Sequence, residues 1–323
     1  DKYKQPDLTY VRNVAQHIAK HLTKETLVIL ESTTYPGTTE DVILPILLGN
    51  SKSLSSEEFY LAFSPERVDP GNLLYKTKNT PKVVGGINEK SADLAKLLYE
   101  KVLQAPVTVV SSTKAAEMTK ILENSYRLVN ISLINELAIL ANKMDIDIWE
   151  VINAAATKPF GFTPFYPGAG AGGHCIPIDP FYLSYISKKY DTSTTLINLA
   201  GEINEQMPSY IVQRTMEILN EHEKHLKNAN ILLVGAAYKG DIDDTRESPA
   251  LKIAELLQLK HANVDIYDPY IKNFAVKKDY EIYDLVIITT AHTHNIDYQE
   301  LYQYSRLIFD LKNILQGEKV VKL

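Results

Sequence analysis

The only cysteine of the chain, Cys175, closes a glycine-dense run, Pro167-Gly168-Ala169-Gly170-Ala171-Gly172-Gly173-His174-Cys175-Ile176-Pro177-Ile178-Asp179-Pro180. Glycines let backbone N–H groups approach a phosphate or sugar with no Cβ in the way. A thiol just beyond them can attack whatever the loop holds. Asp179 follows four residues later and can orient or deprotonate a water. Asp179-Pro180 also reads as an N-cap and first turn opening a helix over Phe181 to Lys188, and the two roles are compatible. That nearby helix start would lower the thiol pKa; the commoner fate of a free cysteine is a small buried hydrophobe. His174 is adjacent to Cys175, and adjacent residues do not face each other on a helix or strand, so a Cys–His dyad is not expected. Gly168, Gly170 and Gly173 match G-x-G-x-x-G, but Lys158 to Pro167 is too proline-rich for the strand that a dinucleotide turn requires.

Two further groups of residues could do chemistry. Glu117, Lys120 and Asn124 fall at i, i+3 and i+7 on one face of a helix. On a helix so apolar elsewhere, such a stripe more naturally lines a cleft than faces solvent, and a lysine there can hold an oxyanion. Lys239 and Arg246 follow the end of a strand, the edge where open α/β sheets take ligands, and two cations there suit phosphates. The plainer alternative is a pair of solvated loop charges.

The elements that must position these residues alternate. Strands are expected at Leu27–Glu31, Tyr60–Phe63 and Lys82–Gly86, with helices near Tyr10–Leu22, Thr38–Leu48 and Glu89–Leu103, which means α/β with a parallel sheet. Residues 114 to 156 read as one very long helix or two joined ones, apolar around nearly the whole circumference and so buried between domains or subunits. A second long helix spans about Thr194 to Asn220. From Ala229 the α/β rhythm returns, with strands at Ile231–Gly235, Val264–Asp268, Leu285–Thr289 and, last, Leu307–Asp310, and with Ser248-Pro249 opening a helix.

The chain has 323 residues, enough for two or three domains. Its net charge of −6, from 34 basic and 40 acidic residues, disfavours nucleic acid as a partner. No apolar run reaches membrane-spanning length and no signal peptide opens the chain. One cysteine cannot form an internal disulfide, which fits a reducing cytoplasm, and no Cys/His cluster has metal-ligand spacing.

In this order, Gly172-Gly173-His174-Cys175-Ile176-Pro177-Ile178-Asp179-Pro180, Glu117-Met118-Thr119-Lys120-Ile121-Leu122-Glu123-Asn124 and Tyr238-Lys239-Gly240 through Arg246 resemble the nucleotide-sugar 6-dehydrogenase family. This is the family of UDP-glucose, UDP-N-acetylhexosamine and GDP-mannose dehydrogenases. Glu31-Ser32-Thr33-Thr34 and Ser64-Pro65-Glu66-Arg67 add to the resemblance, which covers essentially the whole chain. It implies two Rossmann-like parallel-sheet domains joined by long central helices: an NAD-binding part at 1–112, a central dimerisation part carrying the Cys loop at 113–226, and a UDP-sugar-binding part at 227–323. It also implies a C6 alcohol oxidised to a carboxylate with two NAD⁺, Cys175 forming a thiohemiacetal and then a thioester. Lys120 and Asn124 would stabilise the oxyanion, Asp179 and Thr33 would hold the water, and Glu66 would assist. Tyr166, Gly168, Gly170, Gly172, Tyr238, Lys239 and Lys312 would bind the UDP-sugar, and Ser32, Thr33 and Arg246 would touch NAD.

Within the family, Pro159 to Pro167 followed by Gly-Gly-His-Cys resembles the N-acetylhexosamine branch. Glucose-type members usually carry Ser before the cysteine and Lys at the position of Ile178. UDP-N-acetylglucosamine is therefore the first expected substrate, with the mannosamine and galactosamine epimers and UDP-glucose open, and surface polysaccharide precursors the expected products. The expected assembly is a homodimer or larger homo-oligomer. Two departures stand out. Lys312 occupies a place where the family often has arginine. The strand–GxGxxG–helix that opens the family is not in this chain, which implies a truncated NAD domain and a chain that binds UDP-sugar without turning it over. A non-redox nucleotide-sugar-binding module is the alternative of a different class. A thiol hydrolase lacks a base beyond His174.

Overall fold

A computed structural model describes residues 6–50, 54–69 and 71–323. The chain forms two compact units, Asp1–Tyr126 with Ile178–Thr195, and Arg127–Pro177 with Leu196–Leu323.

In the first unit, α1 (Thr9–Ala19) precedes β1 (Leu27–Leu30), and a π-helical turn (Thr39–Ile43) runs into α2 (Leu44–Asn50). Then come β2 (Tyr60–Phe63), β3 (Lys82–Gly86), α3 (Glu89–Val102) and β4 (Val107–Val110). The sheet order is β1-β2-β3-β4. The expected parallel sheet has one exception: β1–β2 and β3–β4 are parallel, but β2–β3 is antiparallel. The reason lies in the connection. A parallel pair needs a crossover, usually a helix, and no helix stands between β2 and β3 among the described residues. Ala15, Ile43, Leu47, Phe59 and Leu61 form one layer of core, and Ala62, Val84 and Ala95 another.

The second unit is a five-stranded sheet, all parallel, in the order β6-β5-β7-β8-β9. Its strands are β5 (Asn230–Val234), β6 (Asn263–Tyr267), β7 (Leu285–Ile288), β8 (Ile308–Asp310) and β9 (Val320–Lys322), the last following the strand expected to end the sheet. Ile231 and Leu233 of β5 enter one core with Ile211, Ile253 and Phe309, while Leu232 and Val234 enter the other with Val286 and Leu301. A strand buried on both faces reads as a continuous apolar run, which is why β5 is plain in the sequence.

The helical stretch between the sheets is broken. α4 (Thr113–Lys143) stops where Asp145 takes a left-handed conformation, φ 57°. Asp147 then caps α5 (Ile148–Ala156), accepting from the N–H groups of Trp149 and Glu150. Helices α6 (Pro180–Ser187) and α7 (Thr195–Glu221) follow, then α8 (Pro249–Leu259) and α9 (Tyr298–Tyr304). No helix among the described residues is long and apolar enough to cross a membrane.

Candidate active site

In the first unit the polar stripe of α4 divides into three different tasks. Glu117 is fully buried and is bound to the turn that opens the π-helical segment: its Oε2 accepts from the N–H of Gly37, and its Oε1 from the N–H and hydroxyl of Thr39 at 2.8 and 2.7 Å. Burial pushes its carboxyl up from the usual range, against the pull of these donors. One turn on, Lys120 is also buried, and its ammonium has no ion-pair or hydrogen-bond partner among the described residues. Asn124 donates from Nδ2 to Oδ2 of Asp179 at 2.7 Å, with both side chains buried.

Asp179 stands at the expected N-cap position with Pro180 opening the helix, but its side chain is turned to Asn124 instead of capping. Its backbone is already helical, φ −59° and ψ −38°, and its side chain makes no cap. An N-cap needs non-helical dihedrals. Glu66 is exposed and folds back on its own chain, Oε1 accepting from the N–H groups of Arg67 and Val68. Arg67 in turn pairs with Glu123 at 2.7 Å. Ser32 is exposed and Thr33 half-buried in the bend after β1. Beside them the hydroxyl of Thr34 is buried without a partner among the described residues. This is the C-terminal edge of β1, where open α/β sheets take ligands, so these three hydroxyls fit a nucleotide cofactor.

In the second unit the glycine run is packed where side chains would not fit. A Cβ on Gly172 would stand 2.7 Å from Cβ of Tyr238 and 2.8 Å from the carbonyl oxygen of Glu247. Gly173 lies against the ring of Tyr238 and donates its N–H to the carbonyl of Arg246 at 3.0 Å. Gly170 has φ +119°, and a Cβ there would lie 3.1 Å from the carbonyl oxygen of Asn204. Pro208, inside α7, has no N–H to offer that carbonyl, so it is free to be approached. The side chain of Asn204 clasps the same loop, accepting from the N–H of Ala171 and donating to its carbonyl. Cys175 is half-buried in the turns beyond, and His174 is exposed.

Gly168 donates its N–H to Oδ1 of Asn135 at 3.0 Å, and its hydrogen-bearing face meets Nζ of Lys312. Burial holds that ammonium below its ordinary pKa, with Asp310 opposing. Tyr166 stacks on Trp149, ring centroids 5.7 Å apart. Tyr238 and Lys239 are half-buried at the edge of the loop after β5. The guanidinium of Arg246 is exposed and engaged by the carboxylate of Asp244, Nη2 to Oδ2 at 2.6 Å.

Sequence reasoning missed Asn135, Trp149 and Asn204. Asn135 stands eleven residues after Asn124, three turns along the same helical face, a spacing that extends the stripe. Nδ2 of Asn135 and Nε1 of Trp149 are buried without partners among the described residues, donors left over for a ligand or a water. Nothing in the sequence singles out Asn204, whose role depends on a proline one turn later.

Known proteins match along this whole arrangement. Models of the UDP-glucose/GDP-mannose dehydrogenase family match residues 1–103 (NAD binding domain), 114–206 (central domain) and 232–317 (UDP binding domain). The chain is similar to UDP-N-acetyl-D-glucosamine 6-dehydrogenase of Pseudomonas aeruginosa, 34% identical over 336 residues, covering 99% of this chain and 79% of the relative. It is 37% identical to UDP-N-acetyl-D-mannosamine dehydrogenase of Pyrococcus horikoshii over 322 residues, 98% of this chain and 75% of that protein. The structure of the UDP-D-ManNAc dehydrogenase from Pyrococcus horikoshii superposes with TM-score 0.89 at 33% identity, covering 99% of this chain and 77% of that one. NDP-N-acetyl-D-galactosaminuronic acid dehydrogenase from Methanosarcina mazei Go1 superposes with TM-score 0.86 at 30% identity, over 99% and 73%. With an NAD-binding domain, a central domain and a UDP-binding domain in this order, the chain belongs to the UDP-glucose/GDP-mannose dehydrogenase family of oxidoreductases.

Proposed function

We propose that this protein oxidises the C6 alcohol of a UDP-N-acetylhexosamine, UDP-N-acetylglucosamine in the first place, to the uronate. The observation that carries the reading is the packing of Gly172 and Gly173 on Tyr238, which ties the loop bearing Cys175 to the loop bearing Lys239 in the nucleotide-binding unit. The thiolate of Cys175 attacks the C6 aldehyde, giving a thiohemiacetal, and the acyl group later leaves the sulfur when water hydrolyses the thioester. Ser32, Thr33 and Arg246 would touch NAD, which would supply the hydride acceptor for both oxidations. The buried ammonium of Lys120, without a partner among the described residues, supports a role in stabilising the oxyanion, with Asn124 beside it. Asp179 and Thr33 hold the hydrolytic water, and Glu66 assists. Tyr166, Gly168, Gly170, Gly172, Tyr238, Lys239 and Lys312 hold the UDP-sugar.

UDP-N-acetylmannosamine is the competing substrate, because relatives of similar identity carry either name. NADH formation with UDP-N-acetylglucosamine, its mannosamine and galactosamine epimers and UDP-glucose separates them. In enzyme with a complete NAD domain, two NADH per uronate from the glucosamine form, abolished in Cys175→Ala, is the expected result. Turnover only with another sugar reassigns the substrate, and normal turnover in Cys175→Ala removes the thiol from the mechanism.

We also propose a homodimer. Leu133, Leu137 and Leu140 form an exposed apolar stripe on α4, a surface that a second copy would cover.

A further inference from the structure

The loop that leaves β5, residues 235–241, carries Tyr238 and Lys239. β5 lies between β6 and β7, so chain departs in opposite directions on its two sides, the kind of switch point at which doubly wound sheets bind ligands. The loop is clasped from both neighbours. Asp268, after β6, accepts on Oδ2 from the N–H groups of Ala236 and Ala237 at 2.7 and 2.8 Å. His292, after β7, touches the same oxygen through Nε2 at 3.2 Å, and its Nδ1 faces the backbone N–H of Asp241 at 3.1 Å. An N–H donor on Nδ1 fixes the imidazole as the neutral tautomer with its proton on Nε2, aimed at Asp268. Both side chains are fully buried.

The far end of the loop is locked as tightly. Asp241 accepts from the hydroxyl of Tyr270 at 3.0 Å and from the N–H and hydroxyl of Thr293 at 2.9 and 2.5 Å. The ring of Tyr270 stacks on the imidazole, centroids 4.9 Å apart. Gly240 passes so close to the segment after β7 that a Cβ would stand 2.0 Å from the carbonyl oxygen of Ala291.

We propose that His292 is a positioning residue for nucleotide binding, bridging Asp268 and the backbone of Asp241 so that the 235–241 loop presents Lys239 and Tyr238 to the diphosphate of a nucleotide sugar. The proposal rests on the nucleotide-sugar reading above. A loop prearranged in this way binds without first losing conformational freedom, so loosening it lowers affinity more than it lowers stability.

The test is calorimetric titration of the chain with UDP, alongside thermal unfolding. Wild type must bind UDP; if it does not, the nucleotide-sugar reading itself fails. His292→Asn keeps an acceptor where Nδ1 stood, and His292→Gln keeps a donor toward Asp268 but leaves the Asp241 N–H unmet. The expected result is a tenfold or greater loss of UDP affinity in His292→Gln, with His292→Asn within about threefold of wild type. Equal affinity in both, with both folded, overturns the proposal. So does an equal loss in both, which would mark a purely structural histidine. Should the glutamine variant not fold, Thr293→Val, which removes only the hydroxyl on Asp241, carries the test: a threefold or greater loss supports the proposal and unchanged affinity overturns it.

Discussion

Asn124 and Asp179 lie 55 residues apart and share a 2.7 Å hydrogen bond in a buried setting, amide N–H to carboxylate. The acid at the start of α6 is therefore aimed by α4. Replacing Asn124 by Leu removes a charge-assisted bond, worth roughly 1.5–3 kcal/mol. The urea midpoint should fall accordingly with no change in slope; an unshifted midpoint would show that the bond adds nothing to stability.

Lys120→Ala separates chemistry from stability. Loss of an oxyanion donor should slow turnover on the order of 10²–10³. Stability should hold or improve, because a buried ammonium with no partner among the described residues is costly to fold around. NADH formation by the variant at wild-type speed would rule the role out.

Glu117 makes stability depend on pH in a definite direction. Its folded-state pKa is raised above 4.5 by burial, with the bonds from Thr39 and Gly37 opposing. The folded protein thus takes up this proton before the unfolded chain does, and stability from this group grows as pH falls through the folded value toward 4.5. Compared with Glu117→Gln, wild type should gain stability between neutral pH and about pH 4.5. Denaturant titrations across that range check the slope; parallel curves for the two proteins would contradict it.

Gly170→Ala places a methyl at φ +119°, a conformation that L residues rarely adopt, against the Asn204 carbonyl. Strain of this kind costs on the order of 1–3 kcal/mol. The loop should shift and UDP-sugar affinity should fall at least tenfold, read by calorimetry. An alanine variant with wild-type affinity would mean that the sugar does not use this loop.

Leu137→Glu puts a charge in the exposed stripe of α4. Light scattering should report a dimer for wild type and a monomer for the variant at micromolar concentration. A wild-type monomer would leave that stripe without the partner assigned to it.

The glycine run and the stripe on α4 were legible because packing and burial there constrain residue type directly. A loop pressed against Tyr238 admits no Cβ, and a buried lysine interrupts an apolar face visibly. β5 was legible because it is buried on both sides. Asp179-Pro180 marked the start of α6 correctly because Asp-Pro is a local rule, but a partner 55 residues away decided the side chain's direction. The antiparallel pairing of β2 with β3 and the short final β9 leave no periodic trace, since strands of three to five residues carry too few alternations to fix direction. His292 and Asp268 were invisible for a related reason: each is one polar residue after a strand, and only the sheet order brings them to the same oxygen.

The first unit is not one stretch of sequence: residues 178–195 return to it after 127–177 have been spent on the second. During synthesis its four strands can pair once Val110 has emerged. The segment with Asp179 must wait for the intervening chain, a delay on the order of seconds at ordinary translation rates. Until then Asn124 has no carboxylate to meet. The acid proposed to hold the hydrolytic water is thus among the last pieces of its own unit to arrive, so a nascent chain can hold a finished sheet well before it holds the Asn124–Asp179 pair.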